Sequence, residues 1–337
     1  MEGRTRLLIT RHLILAGALC LSAWLLPAAG APTPRAPAAA PSDQIEEIEI
    51  TGERPGPRLW KVTRGDHVLW VLGTLNHLPR KMIWRSSEVE SALDQSQQVL
   101  ANGPSVSASV GPIAMIRLYF QWRSTQKNPS RTQLKDWLPP QLYARFETLK
   151  ARFDPHDSSI EELRPSFAAL RLYEKAVEAA GLTGRDAAER TVLKLAAKRH
   201  VPVKRAELTV QDPSGALKEV SALPPSVEVS CLETTVTRLE TDLPTMQERG
   251  RAWAVGDVDR LRQLSFPDQR EACISALSNA PRVKELIERA ASGWDSAADA
   301  ALTNDKVSFA MRPIYDLLSP NGPLSKLRAA GATVAGP

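Results

Sequence analysis

The chain has 337 residues, 43% hydrophobic and 24% charged, enough apolar material for one large packed domain or two small ones. Its 43 Lys and Arg against 38 Asp and Glu leave a formal charge of +5. Residues 1–31 carry Arg4, Arg6, Arg11 and Glu2, so the remainder holds 40 cations against 37 acids, an excess too small and too evenly spread to favour nucleic acid as a partner.

Arg4, Arg6 and Arg11 form a positive n-region, residues 13–26 an apolar h-region, and Ala29-Gly30-Ala31 offers small residues for cleavage. This is the pattern of a secretory signal peptide over 1–31, and it is too short for a comfortable membrane span. An uncleaved anchor is the alternative. The expectation is export to the periplasm or beyond, with no stable membrane span after cleavage. Residues 32–44, rich in Pro and Ala, read as a disordered linker. Residues 45–337 read as a single domain, beginning with an alternating apolar and acidic run over 45–53 that suits a strand with one buried face.

Residues 59–84 are the most informative stretch. Two β-rich runs, 59–63 and 67–72, flank Arg64-Gly65-Asp66, where glycine supplies the positive φ of a tight turn, so a hairpin is predicted. The second run is nearly all apolar, which predicts a strand covered on both faces. It ends in Gly73-Thr74-Leu75-Asn76-His77, and Pro79 is expected to stop further pairing. Open α/β sheets bind ligands just past the carboxyl ends of their strands. Asn76 and His77 occupy such a place.

Ser86 can cap a helix over 87–98, with Val99-Leu100 a short strand after it, followed by Ala101-Asn102-Gly103. Helices are predicted over 113–123 and over 139–153, the latter with Pro at its start. A helix over 166–180 reads apolar at Leu170, Tyr173, Val177 and Ala180 and stops at Gly181. Gly184-Arg185-Asp186 precedes a helix through Arg199, and a short strand follows toward Glu207. Residues 226–264 read as one or two long helices broken or kinked at Pro244, and 281–302 as another. The chain closes with a strand over 307–311, a loop, a helix over 324–330 and Gly331-Ala332-Thr333-Val334. Trp60, Trp70 and Trp253 are expected in the core. Cys231 and Cys273 remain after signal removal; an even count in an exported protein predicts a disulfide, with two buried thiols as the alternative.

Several of these stretches resemble the TraB/PrgY/GumN family. Residues 59–84 are similar to its opening, LWKV…G…LGTIH.LP…W. Arg251-Ala252-Trp253-Ala254-Val255-Gly256-Asp257 is similar to its AW..GD segment. Residues 184–207 resemble G.D…A…..V..LE, with Asp186 and Glu207 on the matching positions. The C-terminal region resembles VGA.HL.G..G….L…G..V; matched backwards from Gly331, the second Gly-x-x-His falls on Pro313-Ile314-Tyr315-Asp316. The resemblance covers most of 59–334. It implies an α+β fold with a mixed central β-sheet surrounded by helices, as in the Tiki proteases and erythromycin-esterase-like proteins. It also implies one metal site where two Gly-x-x-His motifs and nearby glutamates meet. Here Asn76 stands at the first histidine position, with His77 one residue later, and Asp316 at the second. Ala101-Asn102-Gly103 stands where members place a glutamate, and Ser278-Asn279 where an Arg-Asn pair is usual.

The candidates for catalysis or metal binding are therefore Asn76, His77, Glu207 and Asp316. A metal site wants three or four convergent donors. The four histidines outside the signal, His67, His77, His156 and His200, show no HxH or HxxxH spacing; an oxygen-rich site would suit Mg²⁺ or Ca²⁺. On an extended chain Asn76 and His77 point to opposite faces, so only one of them faces the site. The bland alternatives are strand-end groups bonded to backbone, Glu207 paired with Arg205 or a helix lysine, and Asp186 stabilising a helix N-terminus. No Gly-rich phosphate loop, nucleophile elbow or Cys-His pair is present. The strands ending at Gly73 and near Met311 are expected to be neighbours, placing Asn76 and Asp316 on one cleft. The expected function is a non-catalytic binding or accessory protein on a degraded metal-hydrolase scaffold. It is expected to have no resident cofactor, with a divalent metal as the alternative, and to take an unknown periplasmic protein or peptide as partner. The rival is a metal-dependent hydrolase, such as a peptidase, with altered ligands.

Overall fold

The computed structural model describes residues 56–184, 187–264, 273, 277 and 279–337. The stretches read as a signal peptide (1–31) and a linker (32–44), the alternating run over 45–53, Asp186 and Ser278 lie outside the described residues.

The hairpin forms from β1 (Leu59–Arg64) and β2 (His67–Thr74), which pair antiparallel around Gly65 at φ 59°. The other strands are β3 (Val99–Leu100), β4 (Ser105–Ser107), β5 (Val203–Lys204), β6 (Glu207–Thr209), β7 (Val307–Pro313) and β8 (Thr333–Ala335). Six of them build one mixed sheet in the order β5-β3-β7-β2-β1-β8. Strands β5, β3, β7 and β2 run parallel, and β1 is antiparallel to both its neighbours. Strands β4 and β6 form a separate parallel pair. The fold is thus α+β with a mixed central sheet.

The helices are α1 (Ser87–Asp94), α2 (Pro112–Thr125), α3 (Pro140–Phe153), α4 (Pro165–Ala179), α5 (Ala187–Lys198), α6 (Pro213–Ser221), α7 (Pro225–Thr241), α8 (Leu243–Ala254), α9 (Val258–Gln263), α10 (Pro281–Asn304), α11 (Ile314–Leu318) and α12 (Pro323–Ala329). The run over 226–264 is broken at Asp242, just before Pro244, rather than kinked within one helix. Pro244 lies in the first turn of α8, where its missing N–H has no intrahelical partner to lose. Helix α1 ends earlier than residue 98, and Ser96 Oγ donates to the Ala92 carbonyl just past its end.

Between His67 and Thr74 the central strand β2 is apolar, and both its faces are covered. Leu69 and Val71 join a cluster with Trp253 of α8, Trp294 of α10 and Leu324 of α12. Leu72, on the opposite face, joins Leu93 of α1, Val192 of α5 and Phe309 of β7. Alternation along the strand sorts neighbours to opposite faces. A third cluster fills the space between α3, α4, α7 and α8. Trp60 and Trp253 are buried as expected, but Trp70 is only half-buried, with the Lys61 ammonium 5.5 Å from its ring centre. Leu170 is 40% exposed, because α4 turns Ala169, Leu172, Tyr173 and Ala176 inward instead.

Cys231 and Cys273 are joined by a disulfide with Cα atoms 4.7 Å apart. Closing a loop of 42 positions contributes about 3–4 kcal/mol in the chain-entropy account. Nearby in sequence, Arg164 Nη2 donates to Glu228 Oε1, both residues nearly inaccessible. Burial pushes the Glu228 carboxyl above its ordinary range, against the pull of Arg164 and Ser166.

Candidate functional site

Strands β2 and β7 are in register from Val68↔Val307 to Thr74↔Pro313, so their carboxyl ends coincide. Leu75-Asn76-His77 and Ile314-Tyr315-Asp316 leave the sheet from neighbouring strands at one edge, as the sequence pattern requires. Strand β3 is parallel to β7 and delivers Ala101-Asn102-Gly103 to the same edge; β5, parallel to β3, delivers Arg205.

Two tryptophans hold the paired strand ends. Trp253 Nε1 donates to the Gly73 carbonyl at 2.7 Å, and Trp294 Nε1 donates to the Met311 carbonyl at 3.0 Å. Both rings are buried, so each satisfies a carbonyl that could not reach water. Gly73 is required by close packing: a Cβ there would lie 2.9 Å from Ile314 Cγ1 and 2.9 Å from Trp60 Cζ3.

A chain of side chains crosses the edge. Asn102 Nδ2 donates to Thr74 Oγ1 at 2.8 Å, and Arg205 Nη1 donates to the Asn102 carbonyl at 2.5 Å. Arg205 Nη2 reaches the buried Glu189 Oε1 at 2.7 Å. This corrects the expected pairing of Arg205: its carboxylate is Glu189 on α5. Glu207 is exposed on β6, opposite Ser105. The buried Asn102 Oδ1 has no hydrogen-bond partner among the described residues.

Asp316 and His77 are engaged with other groups. Asp316 Oδ2 lies 2.7 Å from Arg312 Nε, four residues earlier, and the Arg312 guanidinium sits 5.3 Å from the Trp294 ring centre. Asn76 is half-buried. His77 does not continue an extended chain: its φ is +62°, in the left-handed region that histidine tolerates better than bulkier residues. Simple alternation of Asn76 and His77 therefore fails. The turn lets His77 Nδ1 donate to the Thr183 carbonyl at 3.0 Å, with its ring edge-on to Tyr173 at 5.5 Å. Pairing also continues beyond Pro79, which bridges Leu182 in antiparallel fashion. The flanking groups make the bonds, Arg80 N to the Gly181 carbonyl at 2.9 Å and Thr183 N to the Leu78 carbonyl at 2.6 Å, so the missing proline N–H costs nothing there.

Sequence reasoning missed Trp294, Glu189 and the Thr74–Asn102–Arg205 chain. An available signal was Asn102, a polar residue just past the end of a buried strand. A pocket lined by Phe153, Leu239, Leu243 and Gln247 opens among the helices and takes no residue from the sheet edge.

The donors at the edge do not fit a divalent cation. Asn76 offers a neutral amide, and the Asp316 carboxylate already faces the Arg312 guanidinium, a fixed cation that repels a second one. Among the described residues no group of three His, Cys, Asp or Glu is placed to hold a metal. No metal-dependent step follows from these residues.

Residues 58–335 match the model of the TraB/PrgY/gumN family. No curated protein and no solved structure matches the chain.

Proposed function

Because the chain belongs to the TraB/PrgY/gumN family, we propose that it is an exported, non-catalytic binding or accessory protein that keeps the family scaffold without its metal chemistry. The observation that carries this reading is the composition of the two converging strand ends. Where the family resemblance places histidines, the chain has Asn76 and an Asp316 bound to Arg312. Packing alone accounts for the parts that remain: Gly73 fits between Trp60 and Ile314, and Trp253 and Trp294 satisfy strand carbonyls. The n-region, h-region and small residues at the N-terminus support export. The ligand class is an exported protein or peptide.

The rival reading is a hydrolase, such as a peptidase, using Asp316, Glu207 and either Asn76 or His77 as altered ligands. Metal analysis separates the two. Protein purified from the exported fraction is equilibrated with zinc, manganese and magnesium, desalted and analysed. Substoichiometric metal, unchanged by Asp316→Ala, is the expected result. Stoichiometric metal that is lost on Asp316→Ala, with the circular dichroism spectrum intact, overturns the proposal in favour of the hydrolase.

A further inference from the structure

Helix α2 is amphipathic in the reverse sense. The stripe turned to the protein is Ala114, Leu118, Gln121 and Thr125, and its anchoring contacts are polar. Gln121 Nε2 donates to the Ser214 carbonyl at 2.9 Å, Ser214 Oγ donates to Gln121 Oε1 at 2.8 Å, and the Thr125 and Ser221 hydroxyls meet at 3.0 Å. The outward arc carries Ile113, Met115, Ile116, Tyr119, Phe120 and Trp122, each between 43% and 77% exposed; Trp122, at the margin of the arc, also meets the Phe167 ring edge-on with centres 5.5 Å apart. Scattered exposed apolar residues are ordinary, but six on one 14-residue helix form a contiguous patch of the kind that marks an interaction surface.

Charge selects the occupant. Arg117 and Arg123 are exposed on the same helix, which has no acidic residue. The acid-free run extends from Gln95 to Lys135, with Arg117, Arg123, Lys127, Arg131 and Lys135 as its charges. A second copy docked through this face about a two-fold axis would set these cations against themselves, with no carboxylate on the helix to answer them. Lys127 is already paired with Glu162 at 2.7 Å; anionic lipid headgroups answer the exposed Arg117 and Arg123 of the helix itself. Helical spacing places Arg123 within the apolar arc, where its long stem can lie along the acyl boundary while the guanidinium reaches phosphate. Tyr119 and Trp122 suit the headgroup depth, and Ile116 and Phe120 the acyl chains.

We propose that α2 is a membrane-surface anchor that lies in the plane of a bilayer containing anionic lipid. The attachment is peripheral. Among the described residues no helix is long and apolar enough to cross a membrane.

The test uses the full chain and vesicles of phosphatidylcholine with and without phosphatidylglycerol, some carrying brominated acyl chains. The expected result is flotation with the phosphatidylglycerol vesicles, weakening as salt is raised, and bromine quenching of an emission component that Trp122→Phe removes. Ile116→Ser combined with Phe120→Ser lowers that quenching about tenfold or more, since two large apolar side chains leave the acyl phase. Residues 13–26 are common to all variants, so the Trp122 component is the deciding signal. Flotation without Trp122 quenching overturns the proposal, and so does absence of flotation. Self-association that the double substitution abolishes overturns it too, assigning the face to a second copy.

Discussion

The carboxyl edge of the sheet and helix α2 are built on opposite plans. At the edge, polar groups engage one another: Trp253 and Trp294 satisfy strand carbonyls, Asn102 holds Thr74, Arg205 joins Asn102 to Glu189, and Arg312 holds Asp316. At α2 the polar contacts face inward and the apolar side chains face out. The difference separates two things that sequence resemblance tends to merge. A fold can preserve the position of a site while internal partners take up its functional groups. The membrane surface proposed on α2 lies where the family motifs do not mark the chain.

Four substitutions probe that contrast, in order of expected effect. Trp253→Ala removes a fully buried indole and leaves the Gly73 carbonyl without its donor; a loss of about 3–5 kcal/mol is expected from urea denaturation. A loss under about 1 kcal/mol would mean that the edge is loosely held and the contrast is unfounded. Gly73→Ala forces a methyl against Ile314 and Trp60 at 2.9 Å, with an expected cost of about 1–3 kcal/mol from overpacking. A neutral result would show that the edge has room to rearrange. Ile116→Ser and Phe120→Ser, on the exposed arc of α2, are each expected to change stability by no more than about 0.5 kcal/mol. A larger loss by the same measurement would show that this arc packs against protein and would remove the contrast from the other side.

Much of the scaffold is legible from local pattern. The β1–β2 hairpin follows from two β-rich runs around Gly65, and the Gly181 helix stop from its positive φ. The continuous apolar run of β2 predicts cover on both faces, and Leu69 and Leu72 duly enter clusters on opposite sides of the sheet. The family resemblance of the two motif positions was enough to place β2 beside β7 across most of the chain. The site was less legible. His77 was read on an extended chain, but its turn depends on the Thr183 carbonyl, 106 positions away. Glu207 matched a family position, whereas Arg205 took Glu189, a residue within a helical pattern that gives no hint of its orientation. For α2 the helix was readable but its direction was not, since a pattern with one apolar arc does not say which arc meets the protein.

The sequence by itself determined the hairpin, most of the helices and the apolar faces of β2 and β7, because those depend on residues two to four apart; β4, α6 and the short α11 were not read from it. It also determined which residues stand at the two motif positions, Asn76 and Asp316. Only the tertiary structure decided what those strand ends meet: Trp253 on Gly73, Arg205 between Asn102 and Glu189, and His77 turned to Thr183. It alone decided that α2 shows its apolar arc to solvent. The physical reason is the same in each case. A side chain's partner is chosen by whichever distant segment packing brings within about 3 Å, and local periodicity carries no information about that segment.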